Sequence, residues 1–288
     1  MLSFQNVPRV LAVRKFLEKL LKRLLVKALS PGLKRSLRAL IRASVIHKQI
    51  PSVHKPERGK IAVLAPHMDD EVLGCGGTIA RHVQAGADVS VIFLTDGRYG
   101  SAANAALTGP ERGRRQRELI HIRKLEARRA GDILGIGNIA FLDAEDGRLA
   151  TDLLAAKRLR TILELERPDI VYLPFFLDTH VDHCAASELL IASVAGTRQD
   201  FECRCYEVWT PLFPNMVVVI DTTIELKKRA LTCYESQLAD MDYFHTGIGL
   251  NAYRSSAIGC KAGRFVEAFF SLPLADYRRL QRGMRRFL

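Results

Sequence analysis

From Lys60 to the C-terminus, short apolar runs alternate with longer stretches of helical periodicity. Lys60–Ala65, Asp88–Leu94, Asn138–Leu142, Asp169–Pro174, residues 203–209 and Met216–Ile220 read as strands. Residues 72–85, 110–134, 151–166, 183–195 and 222–239 read as helices, and a helical region completes the chain. Several strand runs are nearly continuous Val, Ile, Leu and Ala, the pattern of strands buried on both faces. Strands separated by helices need crossover connections. The expected fold is therefore α/β, with a Rossmann-like, mainly parallel sheet and helices on both faces. Sheets of this kind gather their sites at the carboxyl ends of strands.

The segment before Lys60 is different. The net charge of the 288 residues is +12, yet residues 1–60 hold 15 of the 43 Lys and Arg and only two acids, Glu18 and Glu57. The remainder is close to neutral and lacks the basic stripe that nucleic-acid binding needs, so no nucleic-acid partner is expected. Residues 9–28 place Val13, Phe16, Leu20, Leu21 and Leu24 on one helical face and Lys15, Lys19, Lys22 and Arg23 on the other. Ser30-Pro31-Gly32 is expected to break this helix. A second basic amphipathic stretch covers 33–46, and residues 47–59 read as a linker. The chain thus divides into a basic helical segment and linker, 1–59, and a main domain, 60–288. No apolar stretch approaches the roughly 20 residues of a transmembrane helix, and charges interrupt every candidate signal-peptide core. A leucine face opposite a Lys/Arg face suits a helix lying on an anionic membrane surface. The alternatives are packing on the main domain or on a second subunit, an import sequence, or a docking element. The expected location is cytoplasmic, peripheral at the inner face of the membrane. The six cysteines form no C-x-x-C pair and read as reduced thiols.

The chemistry concentrates after two strands. The first strand runs directly into His67-Met68-Asp69-Asp70-Glu71. Three neighbouring carboxylates repel one another, and a cation among them would relieve that repulsion. Val171-Tyr172-Leu173-Pro174 leads to His180-Val181-Asp182-His183. Two strand ends of a parallel sheet can bring both clusters together. Two histidines and one aspartate with an open coordination position are a ligand count typical of catalytic zinc. Gly74, Gly76 and Gly77 allow close backbone approach near the first cluster.

The run PHMDDEVLGCGGTIARHVQAGADVSVIFLTDG resembles the opening of the PIG-L/LmbE family of zinc-dependent N-deacetylases, whose signature is AHPDDE. HVDH at 180–183 is similar to that family's second motif. Arg123-x-x-Glu126-Ala127, Asp146-Gly147-Arg148 and Gly263-Arg264-Phe265-Val266-Glu267-Ala268-Phe269 are further echoes. The resemblance spans about 60–270. It implies His67, Asp70 and His183 as zinc ligands, Asp69 as general base and His180, protonated, as oxyanion stabiliser. Met68 stands where the family has Pro, which implies a small shift of geometry. Asp182 either orients a histidine from behind or caps the following helix. Arg123 corresponds to a family position that meets the sugar or its phosphate; alternatively it pairs with Glu126 on a helix surface. Asp146 is a candidate for sugar hydroxyls or a turn residue, and Arg98 a candidate substrate contact or a solvated loop residue. Cys75 and Cys184 read as small buried residues rather than nucleophiles.

The implied reaction is removal of an acetyl group from an N-acetylglucosamine-type glycoconjugate, lipid-linked or an envelope polysaccharide precursor. Soluble thiol-sugar conjugates or antibiotic precursors are the alternative substrates. A nucleotide-binding module is the non-enzymatic alternative, but Gly74-Cys75-Gly76-Gly77 does not match G-x-G-x-x-G and an acidic loop repels phosphate.

Overall fold

The computed structural model describes residues 31–32, 51–104, 106–258 and 264–284. The amphipathic stretches 9–28 and 33–46 therefore lie outside the described residues. Pro31 and Gly32, expected to break a helix, are themselves helical.

Eight strands form one sheet in the order β1-β7-β8-β6-β5-β2-β3-β4. They are β1 Ser52–Val53, β2 Lys60–Ala65, β3 Asp88–Thr95, β4 Asn138–Ala144, β5 Ile170–Pro174, β6 Glu202–Tyr206, β7 Met216–Val219 and β8 Val266–Pro273. Pairings are parallel except those of β8, which runs antiparallel to both β6 and β7. The mixed α/β architecture is the one the alternation predicts. Two strands depart from expectation. The region read as C-terminal helix contains β8 before the helix at 274–284, and Ser52–Val53, inside the run read as a linker, joins the sheet edge beside β7.

Side chains alternate between the two faces along each strand, as the two-residue period requires. In β2, Ile61, Val63 and Ala65 enter one core, while Ala62 and Leu64 enter the other. The first core packs under α1 (Asp70–Gln84), α2 (Gly109–Leu134) and α5 (Ile224–Leu231). The second packs under α3 (Leu153–Glu166), α4 (Val181–Ser193) and, across β8, the helix Leu274–Met284. The expected helix 222–239 is broken: α5 stops at Leu231 and a short α6 covers Glu235–Leu238.

Helix α1 is kinked at Cys75, whose φ of −148° and ψ of 20° are not helical. A buried ion pair occupies the kink. Lys227 Nζ donates to Leu73 O at 2.8 Å and to Glu267 Oε1 at 2.7 Å. Glu267 also accepts from the backbone N–H groups of Gly77 and Thr78, at 3.0 and 2.7 Å. In a regular helix Gly77 N–H would bond Leu73 O; here the two groups face the carboxylate and the ammonium. Inserted side chains of this kind are a recognised cause of kinks. Gly74 and Gly77 are needed for close approach rather than for a loop. A Cβ on Gly74 would lie 2.1 Å from the Tyr206 ring, and one on Gly77 2.8 Å from Ile220.

Beyond β2, the chain adds β3 and β4 on one side and then returns to add β5 on the other. The connections diverge between β2 and β5, and the carboxyl ends of these strands border the crevice where α/β sheets bind ligands.

Candidate metal-dependent active site

The loop after β2 carries His67 to Asp69 into the start of α1, and the loop after β5 carries Asp178 to His180 into α4. The structure brings both clusters together. His67 lies with its ring centroid 4.6 Å from His180 and 5.5 Å from His183. The Oδ2 atom of Asp70 sits between two imidazoles, 3.2 Å from His67 Nδ1 and 3.1 Å from His183 Nε2. It also accepts the backbone N–H of His67 at 2.8 Å.

The two spacings to Asp70 are those of neighbouring donors on one metal ion. Ligand bonds of about 2.0–2.2 Å in a tetrahedral site put neighbouring donor atoms roughly 3.4 Å apart. His183 is fully buried, and neither of its ring nitrogens has a well-directed hydrogen bond among the described residues. Carboxylates stand behind both rings. Asp182 Oδ2 and Asp146 Oδ1 lie 3.3 and 3.4 Å from His67 Nε2, and Asp178 Oδ2 lies 3.4 Å from His183 Nδ1. Carboxylates in these positions fix ring orientation and strengthen a histidine as a ligand. Among the described residues, the groups whose ligand atoms all lie within 4.8 Å of one another are the three imidazoles of His67, His180 and His183, and His67 with the carboxylates of Asp146 and Asp182; Asp70 belongs to neither.

The electrostatics describe a site that lacks only positive charge. Burial opposes protonation of His67, but the carboxylates of Asp146, Asp182 and Asp70 raise its pKa well above the usual value. Against the same burial, Asp70 and Asp178 lift His183 to about 9. Asp70 is held far below the carboxylate range, despite burial, by His183 and His67. In effect protons take the place of a cation, and a bound metal would displace them.

Asp69 is placed differently. Its φ of 140° lies where a side chain is strained. The strain is held by its own backbone: its carbonyl accepts from Val72 and Leu73 N–H at 3.1 and 2.9 Å, and its N–H donates to Glu71 Oε2 at 3.2 Å. Glu71 is anchored in turn by the hydroxyl of Tyr234. The Asp69 carboxyl lines the cavity, and burial raises its pKa to about 7, with Arg123 opposing. Strained residues at a cleft are a signature of functional sites.

His180 was expected to act, protonated, on the oxyanion. Burial and the neighbouring rings of His67 and His183 lower its pKa. Its Nδ1 accepts the backbone N–H of Asp182 at 3.2 Å, which leaves the proton of a neutral ring on Nε2. His180 can still donate a hydrogen bond, but as a neutral imidazole. That same bond makes His180 the side-chain cap of α4. Asp182 instead faces His67 and accepts from Gly147 and Leu149 N–H at 2.7 and 3.2 Å.

The remaining sequence candidates separate. Arg123 is buried rather than on a helix surface: it donates to Gly97 O and Met68 O at 3.1 and 2.8 Å and stands 3.6 Å from Asp69. Asp146 lines the cavity and accepts from Tyr99 N–H at 3.1 Å. Arg98 does not line it; its guanidinium pairs with Asp96. The cysteines near the motifs are occupied as weak donors: Cys75 Sγ to Glu71 O and Cys184 Sγ to Asp178 O. Burial pushes both thiols up, away from nucleophilic character.

The cavity holds about 170 Å³, and Tyr99, Gly100, Trp209, Gln237 and Tyr243 also line it. None of these five was singled out from sequence. Tyr99, Gly100 and Trp209 follow strand ends, which is the one signal that could have marked them. Gln237 and Tyr243 lie beyond α5, and nothing local distinguishes them.

A family model described as PIG-L, GlcNAc-PI de-N-acetylase, matches residues 62–194. The diacetylchitobiose deacetylase of Thermococcus kodakarensis is 32% identical over 197 residues, covering 63% of this chain and 71% of that protein. Among solved structures, the N,N'-diacetylchitobiose deacetylase of Pyrococcus horikoshii, in complex with an inhibitor, superposes with a TM-score of 0.65 at 26% identity, covering 83% of this chain and 92% of that one. A conserved protein of Thermus thermophilus superposes with a TM-score of 0.59 at 29% identity, covering 73% and 92%. Motif, fold and site geometry agree with these likenesses: the chain belongs to the PIG-L/LmbE family of N-deacetylases, hydrolases of the N-acetyl amide bond.

Proposed function

We propose that this chain removes the acetyl group from an N-acetylglucosamine-type glycoconjugate, with zinc held by His67, Asp70 and His183. The observation that carries the reading is the single carboxylate oxygen of Asp70 set between two imidazoles, with Asp69 and His180 beside it on the cavity wall. Held by these three residues, zinc would supply Lewis acidity for the acetyl carbonyl and for water near neutral pH. Asp69 takes the proton of the attacking water and delivers it to the departing amine. Neutral His180 donates from Nε2 to the oxygen that gains charge in the transition state. Arg123 holds the backbone at Met68 and Gly97 and balances the charge of Asp69. Asp182 and Asp146 orient His67 from behind.

Two diacetylchitobiose deacetylases among the relatives favour a sugar substrate. The basic amphipathic stretch 9–46 leads us to place that sugar on a lipid or an envelope polysaccharide precursor, with the enzyme peripheral to the membrane. Assay of the zinc-loaded chain on N-acetylglucosamine conjugates tests the reaction. Asp69→Asn should retain one metal per chain and lose roughly 10²–10⁴ in kcat; full activity in that variant would overturn the assignment of the base. Liposome binding of a chain lacking residues 1–46 tests the membrane reading, and unchanged binding would sink it.

A further inference from the structure

A second cavity adjoins the catalytic one. It holds about 280 Å³, close to the lower end of small-ligand pockets at roughly 300 Å³. Leu73, Trp209 and Tyr243 form a shared wall between the two, and Val208, Met241 and Leu250 line the second cavity alone. Two of its polar side chains are already engaged. Glu207 is held by Arg254, whose Nε lies 2.8 Å away, and accepts Leu212 N–H at 2.9 Å. The hydroxyl of Thr246 donates to Asp242 O. The floor is a π-helical turn, Phe244–Ile248, where a Cβ on Gly247 would come 3.1 Å from Leu73. Single π-turns recur at functional sites.

Exposed apolar side chains also stand on loops hydrogen-bonded to residues of this cavity. Leu177, Val181, Phe213 and Tyr253 are all more than half or about half exposed, at 50%, 65%, 71% and 68%. Hydrogen bonds tie their loops together. Asp178 accepts from Trp209 and Thr210 N–H, Thr210 Oγ1 accepts from Thr179 N–H, and Arg254 donates to Leu212 O.

Building on the deacetylase reading, we infer that the second cavity is the subsite for an apolar, uncharged aglycone, an alkyl chain or its equivalent, attached to the acetylated amino sugar. The sugar occupies the polar cavity beside Asp69 and His180. The aglycone passes the Leu73–Trp209–Tyr243 wall and lies against Val208, Met241 and Leu250.

The test uses the metal-loaded full chain and three substrates: the methyl and octyl β-glycosides of N-acetylglucosamine, and diacetylchitobiose. The octyl glycoside is expected to exceed the methyl glycoside in kcat/KM by about tenfold or more, mainly through KM. Leu250→Asp, and the half-exposed and therefore milder Met241→Glu, should bring that ratio towards one. A ratio near one in the unsubstituted chain would overturn the proposal. So would a ratio that survives both substitutions, or a preference for diacetylchitobiose over the octyl glycoside. Calorimetry with octyl β-glucoside, which has no acetamide, separates the two readings. Binding that is lost in both variants supports the subsite even if no acetylated glycoside is turned over. Absence of binding below the micellar concentration overturns it even if deacetylation is observed.

Discussion

Replacing Lys227 by Met should be among the most damaging single changes outside the catalytic cavity. Lys227 and Glu267 are both fully buried, 2.7 Å apart. Loss of the ammonium leaves the Glu267 carboxylate with only two backbone N–H donors and strips Leu73 O of its donor at the kink of α1. Breaking a buried pair from one side costs about 3–5 kcal/mol, against a total stability of roughly 5–15 kcal/mol. Glu267→Gln breaks the same pair from the other side, leaving a buried ammonium and turning an amide NH2 towards a donor, and should cost a similar amount, about 3–5 kcal/mol. In the double variant the buried charge is gone, so its loss should fall short of the summed single losses by at least about 1 kcal/mol. Urea unfolding of the metal-free chain measures all three. The reasoning fails if Lys227→Met lies within about 0.5 kcal/mol of the parent, or if the two losses simply add.

Three further outcomes are expected. Zinc at 100 times its Kd should raise stability by about 2.7 kcal/mol, visible as a thermal shift that is absent in His67→Ala and His183→Ala; an equal shift in those variants would place the ion elsewhere. Gly74→Ala drives a methyl into the Tyr206 ring, 2.1 Å away, and should destabilise by about 1–3 kcal/mol or more while displacing Asp70; unfolding and metal titration report the two effects, and native values for both would refute the packing account. Burial pushes His82 down to about 4, with the carbonyl of Glu57 opposing. Between about 4 and the ordinary value of 6.5 the unfolded chain binds more protons at this site. The contribution of His82 is therefore complete above about 6.5 and is lost as pH falls to 4, worth about 3 kcal/mol. His82→Gln should flatten that part of the stability profile, and an unchanged slope would exclude His82 as its source.

The parallel core was legible because its strands are continuous apolar runs, and the metal cluster because ionisable residues directly after such runs are costly without a partner. His67 and Asp70 lie three residues apart, so their meeting needs only a turn. Their approach to His183 follows from β2 and β5 being neighbours in the sheet. Other features depend on contacts that no local pattern records. β8 carries Glu267 in its interior, a residue that argues against a buried strand until Lys227 is known to face it. The role of Asp182 turns on where Gly147 and Leu149 lie, and the protonation of His180 on which nitrogen the Asp182 N–H reaches. Trp209, Gln237 and Tyr243 reach the site through loops whose course is set by the finished sheet.

The antiparallel placement of β8 has a consequence for synthesis. β6 and β7 are successive strands but not neighbours in space, because the strand that joins them is made after both. A nascent chain that has not yet released Val266–Pro273 from the ribosome presents two unpaired strand edges, an invitation to pair with other chains. It also lacks the carboxylate that occupies the kink of α1, immediately beyond Asp70. The sheet and the helix that begins at the metal site therefore wait on the same final strand, and an incompletely translated chain should neither hold metal tightly nor stay in solution.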